Sequence, residues 1–423
     1  MNILFITLSN INSIRERGIY ADLMRKFRDE GHRVYFVSPC ERRMRQQTHI
    51  IETDGVHILK VRTLNIQKTN VVEKGLGTLL IEGQFLRAIR KHLGDVQFDL
   101  ILYSTPPITF TNVVRYLKKK NPKAVSYLLL KDIFPQNAVD IGMFSEGSLF
   151  NRYFRRKEMG LYKTSDYIGC MSPANVEFVI NHNKFINPKR VEVAPNSIEL
   201  GDELSPSDER AKRSTERGYM RSKYGLPRNI PIFIYGGNLG RPQGIDYLIK
   251  CLDANKQRTD CHFVVVGNGT EYHKLRAWYE ERIANPGQPA NVTQTAQKSQ
   301  MFNVTLMERL PKEDYDMLVG ACDVGLIFLD HRFTIPNYPS RLLSYLEYKM
   351  PVICATDPNT DIGHIAEENG YGYWCESVKP EDFTALVDKM LQSDRKAMGE
   401  RGYDFLKKNY IVQNTYDAIM RHF

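Results

Sequence analysis

The feature that most narrows what this chain can fold into is a rhythm. Short apolar runs, each closed by glycine, proline or a small polar residue and followed by an amphipathic stretch of helical period, recur from one end to the other. "NILFIT" (2–7) leads through a loop holding Arg15, Arg17 and Gly18 into a helix that Gly31 stops before "RVYFVS". "DLILYS" (99–104) precedes Pro106-Pro107, "AVSYLLL" (124–130) precedes Asp132, and "YIGCMS" (167–172) precedes another helix. Strands alternating with helices predict a parallel, doubly wound α/β sheet. A chain of 423 residues is too long for one such core, so two domains are expected.

A charged stretch at 201–229 separates this series from a second one: "IPIFIYGGN" (230–238), "HFVVVGNG" (262–269), "VTLME" (304–308), "VGLIFL" (324–329) and "GYGYWC" (370–375). The expected organisation is therefore a Rossmann-like domain over 1–200, a linker over 201–229 that is partly helical, and a second Rossmann-like domain over 230–402. The last helix, 403–423, has no strand after it and is expected to cross back to the first domain. Ligands of open α/β sheets lie beyond the carboxyl ends of the strands, which for two facing sheets means the cleft between them.

Charge is unevenly divided. Residues 1–200 carry 30 Lys and Arg against 19 Asp and Glu, a balance of +11, whereas the remainder carries 28 against 30. The excess gathers at 41–45, at 115–123, where Lys118 and Lys119 lie, and at 151–157, where Arg155 and Arg156 alternate with aromatic residues. Such patches suit phosphorylated ligands or an anionic membrane surface, where each basic residue contributes roughly 1 kcal/mol. No apolar run approaches membrane-spanning length and no basic leader precedes the first strand, so a cytoplasmic protein is expected. Seven scattered cysteines show no paired or metal-ligand spacing and read as reduced, mostly buried thiols.

"IPNYPSRLLSYLEYKMPVICATD" (335–357) concentrates the chemistry. Pro336 and Pro339 stiffen a loop around Asn337 and Tyr338; Ser340 is placed to cap the helix that follows, and Arg341 stands one residue inside it. A guanidinium beside a helix N-terminus suits a diphosphate. Glycine turns at 236–244, with Gly237, Asn238 and Gln243, and at Gly267 emerge on the same rim, as does Leu310. The first lacks the Lys-Ser/Thr of a nucleotide-hydrolysing loop and the second lacks the third glycine of a dinucleotide fingerprint. "DYD" (314–316) offers a weak metal pair at a helix start, and no other cluster offers a better one. Asp132, just past a buried strand, is the candidate acid or base of the first domain.

In order, "GGNLG…QG", "VVGNG", "LPKED", "PSRLLSYL…PVI" and, earlier, "GHRVYFVS", "TPPIT", "LKDIFPQNAVDIG" and "VAPN" resemble retaining glycosyltransferase family 4 over essentially the whole chain. Within it they resemble the branch that adds amino or N-acetylated deoxy sugars in O-antigen and capsule pathways. The resemblance implies the GT-B architecture, two Rossmann-like domains facing across a cleft. It also implies that Arg341, where many members have Lys, neutralises the donor diphosphate, and that main-chain groups around Leu310 bracket the base. Asn238 and Gln243 occupy positions where other members have Arg and Lys. Gly18 matches half of a Gly-Gly pair under the donor, with Arg17 in the other place. Pro336 and Ser344 stand where two glutamates are common; Ser344 is left to bond a ribose hydroxyl, with Glu347 one turn further on.

The activity so implied moves an N-acetylated hexosamine or deoxyhexosamine from a nucleotide diphosphate, UDP, to a lipid-linked (polyprenyl diphosphate) or oligosaccharide acceptor, with no obligatory metal and no cofactor. Arg15, Arg17, Lys118, Lys119, Arg155 and Arg156 are assigned to the acceptor or membrane side, with peripheral attachment to the inner face of the cytoplasmic membrane. No nucleic acid partner is expected. A sugar-nucleotide epimerase or hydrolase of the same fold is the second reading, and a non-catalytic scaffold of a polysaccharide assembly complex, motivated by the missing glutamates, is the third.

Overall fold

The computed structural model describes residues 1–66, 71–201, 206–284 and 302–423. Part of the expected linker, 202–205, lies outside them. The chain divides into two compact units, one made of Met1–Glu199 with Tyr410–Phe423, the other of Leu200–Asn409.

In the first unit, β1 (Asn2–Ile6), α1 (Ile19–Asp29), β2 (Arg33–Glu41), β3 (His49–Thr53), β4 (Val56–Thr63) and α2 (Val71–His92) come first. They are followed by β5 (Leu100–Ser104), α3 (Thr111–Lys120), β6 (Val125–Leu130), α4 (Gln136–Asp140), α5 (Leu149–Thr164), β7 (Tyr167–Cys170), α6 (Pro173–His182) and β8 (Val191–Val193). The eight-stranded sheet runs β3-β4-β2-β1-β5-β6-β7-β8. It is parallel except for β3, which pairs antiparallel with β4 across the two-residue turn Asp54-Gly55. Both turn residues have positive φ, 54° and 76°, the conformation that an Asp-Gly hairpin turn favours.

The second unit begins with α7 (Pro206–Lys223), then β9 (Ile232–Asn238), α8 (Ile245–Asn255), β10 (His262–Asn268), α9 (Tyr272–Ala284), β11 (Val304–Met307) and α10 (Lys312–Gly320). It continues with β12 (Val324–Phe328), α11 (Arg341–Glu347), β13 (Val352–Thr356), α12 (Ile362–Glu368), β14 (Gly372–Glu376), α13 (Pro380–Gln392) and α14 (Arg395–Asn409). Its six strands are all parallel, in the order β11-β10-β9-β12-β13-β14. Both units are thus the doubly wound sheets from which the GT-B class is built.

Two expectations about organisation are corrected. The segment read mainly as linker is helical over α7 and belongs to the second unit, so that unit starts near residue 200 rather than 230. Its anchor is Arg221, a fully buried guanidinium whose Nη2 meets Asp323 Oδ2 at 2.7 Å and whose other nitrogens donate to the carbonyls of Ala321, Pro227, Arg228 and Ile230. The helix expected over 403–423 is two helices. After α14 the chain turns at Tyr410 and Ile411, and α15 (Val412–Met420) packs on α1 of the first unit. The break is imposed by Ile198, whose N–H donates to the Tyr410 carbonyl and whose carbonyl accepts from Val412, both at 3.0 Å.

Candidate active site

In the second unit the chain leaves β9 toward β10 on one side and places β12 on the other. The carboxyl ends of β9 and β12 therefore frame a topological switch point, where ligands of such sheets bind. β9 ends in Gly236-Gly237-Asn238. Gly237 has φ 128°, which disfavours any side chain. Its partner Gly267, on β10, comes so close that a Cβ there would lie 1.8 Å from the Gly237 carbonyl oxygen. Gly267 is thereby explained by strand packing.

Arg341 points at this turn from the first position of α11. Its guanidinium carbon sits 4.2 Å from the centre of the Tyr235 ring, and Nη2 lies 3.4 Å from where a Gly237 Cβ would be. Nη1 is buried and has no hydrogen-bond partner among the described residues. A buried donor without a partner is costly and calls for an explanation. Burial opposes the charge, but the phenol oxygens of Tyr235, Tyr345 and Tyr315 outweigh it and hold the guanidinium above its usual pKa. Tyr345 fixes the start of α11 by sharing its hydroxyl among the Ile234 and Leu326 carbonyls and the Gly236 N–H. Burial lifts the Tyr315 hydroxyl to about 12. This cage of tyrosines was missed at the level of sequence, where aromatic residues in strands and helices read as core.

The neighbouring positions are placed plainly. Gln243 Oε1 accepts from Asn238 Nδ2 at 2.9 Å and from Gly240 N at 3.2 Å, so these two side chains close the turn on itself and bring no cation to it. Ser340 makes no side-chain cap; its backbone is already helical (φ −64°, ψ −16°), which turns the hydroxyl away from the capping geometry. This corrects the capping expectation. Asn337 N donates to Thr360 Oγ1 at 2.8 Å, while Asn337 Nδ2 is a second buried donor without a partner. Thr360 in turn donates to Asp357, whose carboxyl burial pushes up to about 6. Tyr338, Ser344 and Glu347 are part-buried on the loop and on α11, and Leu310 is part-buried between β11 and α10. Gly237, Asn238, Gln243, Gly267, Leu310 and Arg341 all follow or end strands on the carboxyl rim of one sheet.

Asp314 is paired with Lys223 and Tyr224, and Asp316 with Lys312. Among the described residues no group of three or more His, Cys, Asp or Glu is placed to hold a metal.

The first unit has its own switch point, between β1 and β5. Beyond β5 and β6 on that rim, Thr105 Oγ1 accepts from the N–H groups of Lys131 and Asp132 at 2.9 and 3.2 Å. Asp132 Oδ1 accepts from Asn137 Nδ2 at 2.6 Å, and burial raises its carboxyl to about 6. Lys131 donates to the Ala194 carbonyl at 3.0 Å, with burial bringing its ammonium down to about 7. Gly18 precedes α1 with nothing within 4 Å of a Cβ position, so open space lies before it. A further residue emerges here. Lys60 on β4, buried, donates to Asn10 Oδ1 at 2.6 Å, the Ile11 carbonyl at 2.9 Å and Ser38 Oγ at 3.2 Å, and so fixes the loop after β1. A lysine inside "VHILKVRT" was the available signal.

The basic residues part company. Arg15 pairs with Asp54, and Arg17 Nη2 donates to the Glu199 carbonyl at 2.9 Å. Lys118 is engaged by Asp166 and the Ala124 carbonyl at 2.6 Å, and Arg155 by Glu158, Asn183 and the His182 carbonyl, so both serve the fold. Lys119 and Arg156 are exposed. No helix of the described residues is long and apolar enough to cross a membrane. All seven cysteines are buried and free.

Residues 217–405 match the family model described as glycosyl transferases group 1. The chain is 22% identical over 295 residues to "Probable glycosyltransferase WbjE" of Pseudomonas aeruginosa, covering 67% of this chain and 64% of WbjE. It is 25% identical over 177 residues to the "Putative colanic acid biosynthesis glycosyl transferase WcaI" of Escherichia coli, covering 41% of this chain and 38% of WcaI. The chain thus spans less than two thirds of either relative. Among solved structures, Anabaena Alr3699/HepE in complex with UDP-glucose superposes with a TM-score of 0.67 at 14% identity, over 100% of this chain and 99% of that one.

Proposed function

We propose, on the match of residues 217–405 to the glycosyl transferases group 1 model, that the chain moves a sugar from a UDP-linked donor to a lipid-linked or oligosaccharide acceptor in surface polysaccharide synthesis. The observation that carries this reading is the buried, unpartnered Nη1 of Arg341 beside the positive-φ turn at Gly237. Arg341 grips the donor diphosphate there. As the nucleoside diphosphate leaves, its developing charge meets a guanidinium already in place, so no reorganisation is required at that moment. Ser344 bonds the ribose, and groups near Leu310 hold the base. Retention at the anomeric carbon, a metal-independent reaction and an N-acetylated aminosugar belong to the same reading and rest on the family resemblance; the UDP of the HepE complex supports the choice of nucleotide.

Asp132 is assigned to the acceptor hydroxyl, which it orients or deprotonates. With its pKa near 6 it is mostly ionised at neutral pH and still basic enough to share a proton. Raised by burial, that carboxyl gains its proton as pH falls through about 6, so kcat/KM is expected to fall there. Asn137→Ala removes the donor that favours the ionised form and moves this acid limb to higher pH; a pH profile of kcat/KM reads both, and a limb unmoved in the variant removes Asp132 from proton transfer.

The donor half is tested without knowing the acceptor. UDP at a hundred times its Kd is expected to stabilise the protein by about 2.7 kcal/mol in a thermal shift, with smaller effects of ADP and GDP. No shift with any nucleoside diphosphate or its sugars rejects the reading. A shift with UDP but no transfer to any lipid-linked acceptor favours the scaffold instead.

A further inference from the structure

The first unit exposes large apolar side chains in one place. At the start of α5, Leu149 is 83% exposed and Phe150 70%, and Tyr153, one turn on, also faces solvent. Single exposed apolar residues are ordinary; a contiguous group is not. On α2, Leu76, Leu79 and Leu80 are each about half exposed, at helical spacing. The two helices belong to one layer. α3 packs against both, and Glu82 of α2 reaches Lys157 of α5 at 3.6 Å while accepting from Asn112 in the first turn of α3.

The apolar groups lie on the amino-terminal halves of their helices. In a crossover that joins parallel strands, this is the end at the carboxyl rim of the sheet, the rim that carries Asp132. The link to Asp132 is physical as well. Phe134, two residues past it, packs edge-on at 4.9 Å against Phe154, which follows Phe150 by one turn of α5. Exposed basic residues follow or interleave with these groups: Arg87, Arg90 and Lys91 further along α2, and on α5 Arg152, between Phe150 and Tyr153, and Arg156 beyond them. Along α2 no exposed carboxylate falls between residues 75 and 91. An apolar tip followed by a basic flank is complementary to a bilayer whose surface is anionic, and unlike a nucleic-acid groove it offers bare leucines to the partner.

We propose that the rim ends of α2 and α5 dock on an anionic lipid bilayer, their leucines and Phe150 entering the headgroup layer while the arginines behind engage lipid phosphates. Docking so placed brings Asp132 to the surface where a lipid-anchored acceptor is found; that consequence rests on the transferase reading, whereas the docking does not.

Vesicle flotation of the full chain tests it. Binding is expected to vesicles of phosphatidylcholine with about one third phosphatidylglycerol, and at least tenfold more weakly to phosphatidylcholine alone. Leu149→Glu with Phe150→Glu, and separately Leu79→Glu with Leu80→Glu, should each lower binding to the mixed vesicles at least tenfold with circular dichroism unchanged, because Leu149 and Phe150 are mostly exposed and Leu79 and Leu80 about half exposed. Arg87→Gln with Arg90→Gln should remove most of the preference for anionic lipid. Equal vesicle binding by the apolar variants overturns the proposal, as does binding that single-stranded DNA abolishes and the leucine substitutions leave intact. The UDP thermal shift, measured on the same samples, tells a failure of docking from a failure of the transferase assignment.

Discussion

Arg341→Ala is expected to lower kcat/KM for sugar transfer at least tenfold and to abolish the thermal shift with UDP, while leaving the unliganded protein as stable as before or more so. The two halves of this result come from one geometry. A charge-assisted contact from guanidinium to phosphate is worth roughly 1.5 to 3 kcal/mol, one to two decades in rate where the contact strengthens in the transition state. Without ligand the same guanidinium has a buried, unsatisfied Nη1 and no carboxylate partner among the described residues, offset by the tyrosine oxygens that favour its charge. Removing it forfeits the stacking on Tyr235 but relieves the desolvation cost. Arg341→Lys should recover only part of the activity, since an ammonium lacks the planar fork and stacks less well on Tyr235. Steady-state kinetics and differential scanning fluorimetry on the same preparations decide the matter. A large fall in the unliganded melting temperature with turnover retained makes Arg341 a structural residue and removes the observation on which the donor site rests.

The second large effect is on folding. Arg221→Ala leaves Asp323 without its buried guanidinium partner and orphans the carbonyls of Ala321, Pro227, Arg228 and Ile230. Breaking a buried pair from one side costs about 3 to 5 kcal/mol, which in a unit of this size lowers Tm by roughly 6 to 20 °C. Arg217, 2.7 Å from the other oxygen of Asp323, is only part-buried and cannot take over the carbonyls. The loss should appear in the second unit first, as an early transition in urea followed by tryptophan fluorescence, since Trp278 and Trp374 are both there. An Arg221→Ala protein that melts with the parent would mean that α7 is held by something other than this cluster.

Arg221 also shows where reading from sequence stopped. The stretch that became α7 is rich in charge, and hydropathy treats every charge as solvated; that one arginine in it is the buried anchor depends on carbonyls from a turn and from the end of α10. The break between α14 and α15 is of the same kind. Locally only Asn414, whose Oδ1 accepts from the Ile411 N–H at 3.2 Å, marks the new helix start; the peptide of Ile198, more than two hundred positions earlier, claims the backbone groups at 410 and 412. The β3–β4 hairpin went unread despite its Asp-Gly turn. By contrast, the central strands of the first sheet, β1, β2, β5, β6 and β7, and those of the second, with the glycine turns at their ends, stood out, because burial on both faces writes continuous apolar runs and tight turns demand glycine. In the site, Arg341 and Asp132 were legible as charges just beyond such runs. The tyrosine cage was not, nor was the way Gln243 spends its oxygen on Asn238 and Gly240, since a polar residue in a loop does not reveal which neighbours it will satisfy.

The pairing of Ile198 with the backbone at 410 and 412 sets an order of events during biosynthesis. The second unit is translated as one uninterrupted segment, but α15, whose Tyr416 packs on Phe27 of α1 and bonds His32, emerges only afterwards. The nascent first unit must therefore wait, with that face of α1 bare, until some two hundred further residues have left the ribosome. Translation speed through 200–409, as much as the energetics of the finished molecule, governs how long this apolar face stays open to chaperones or to misassembly.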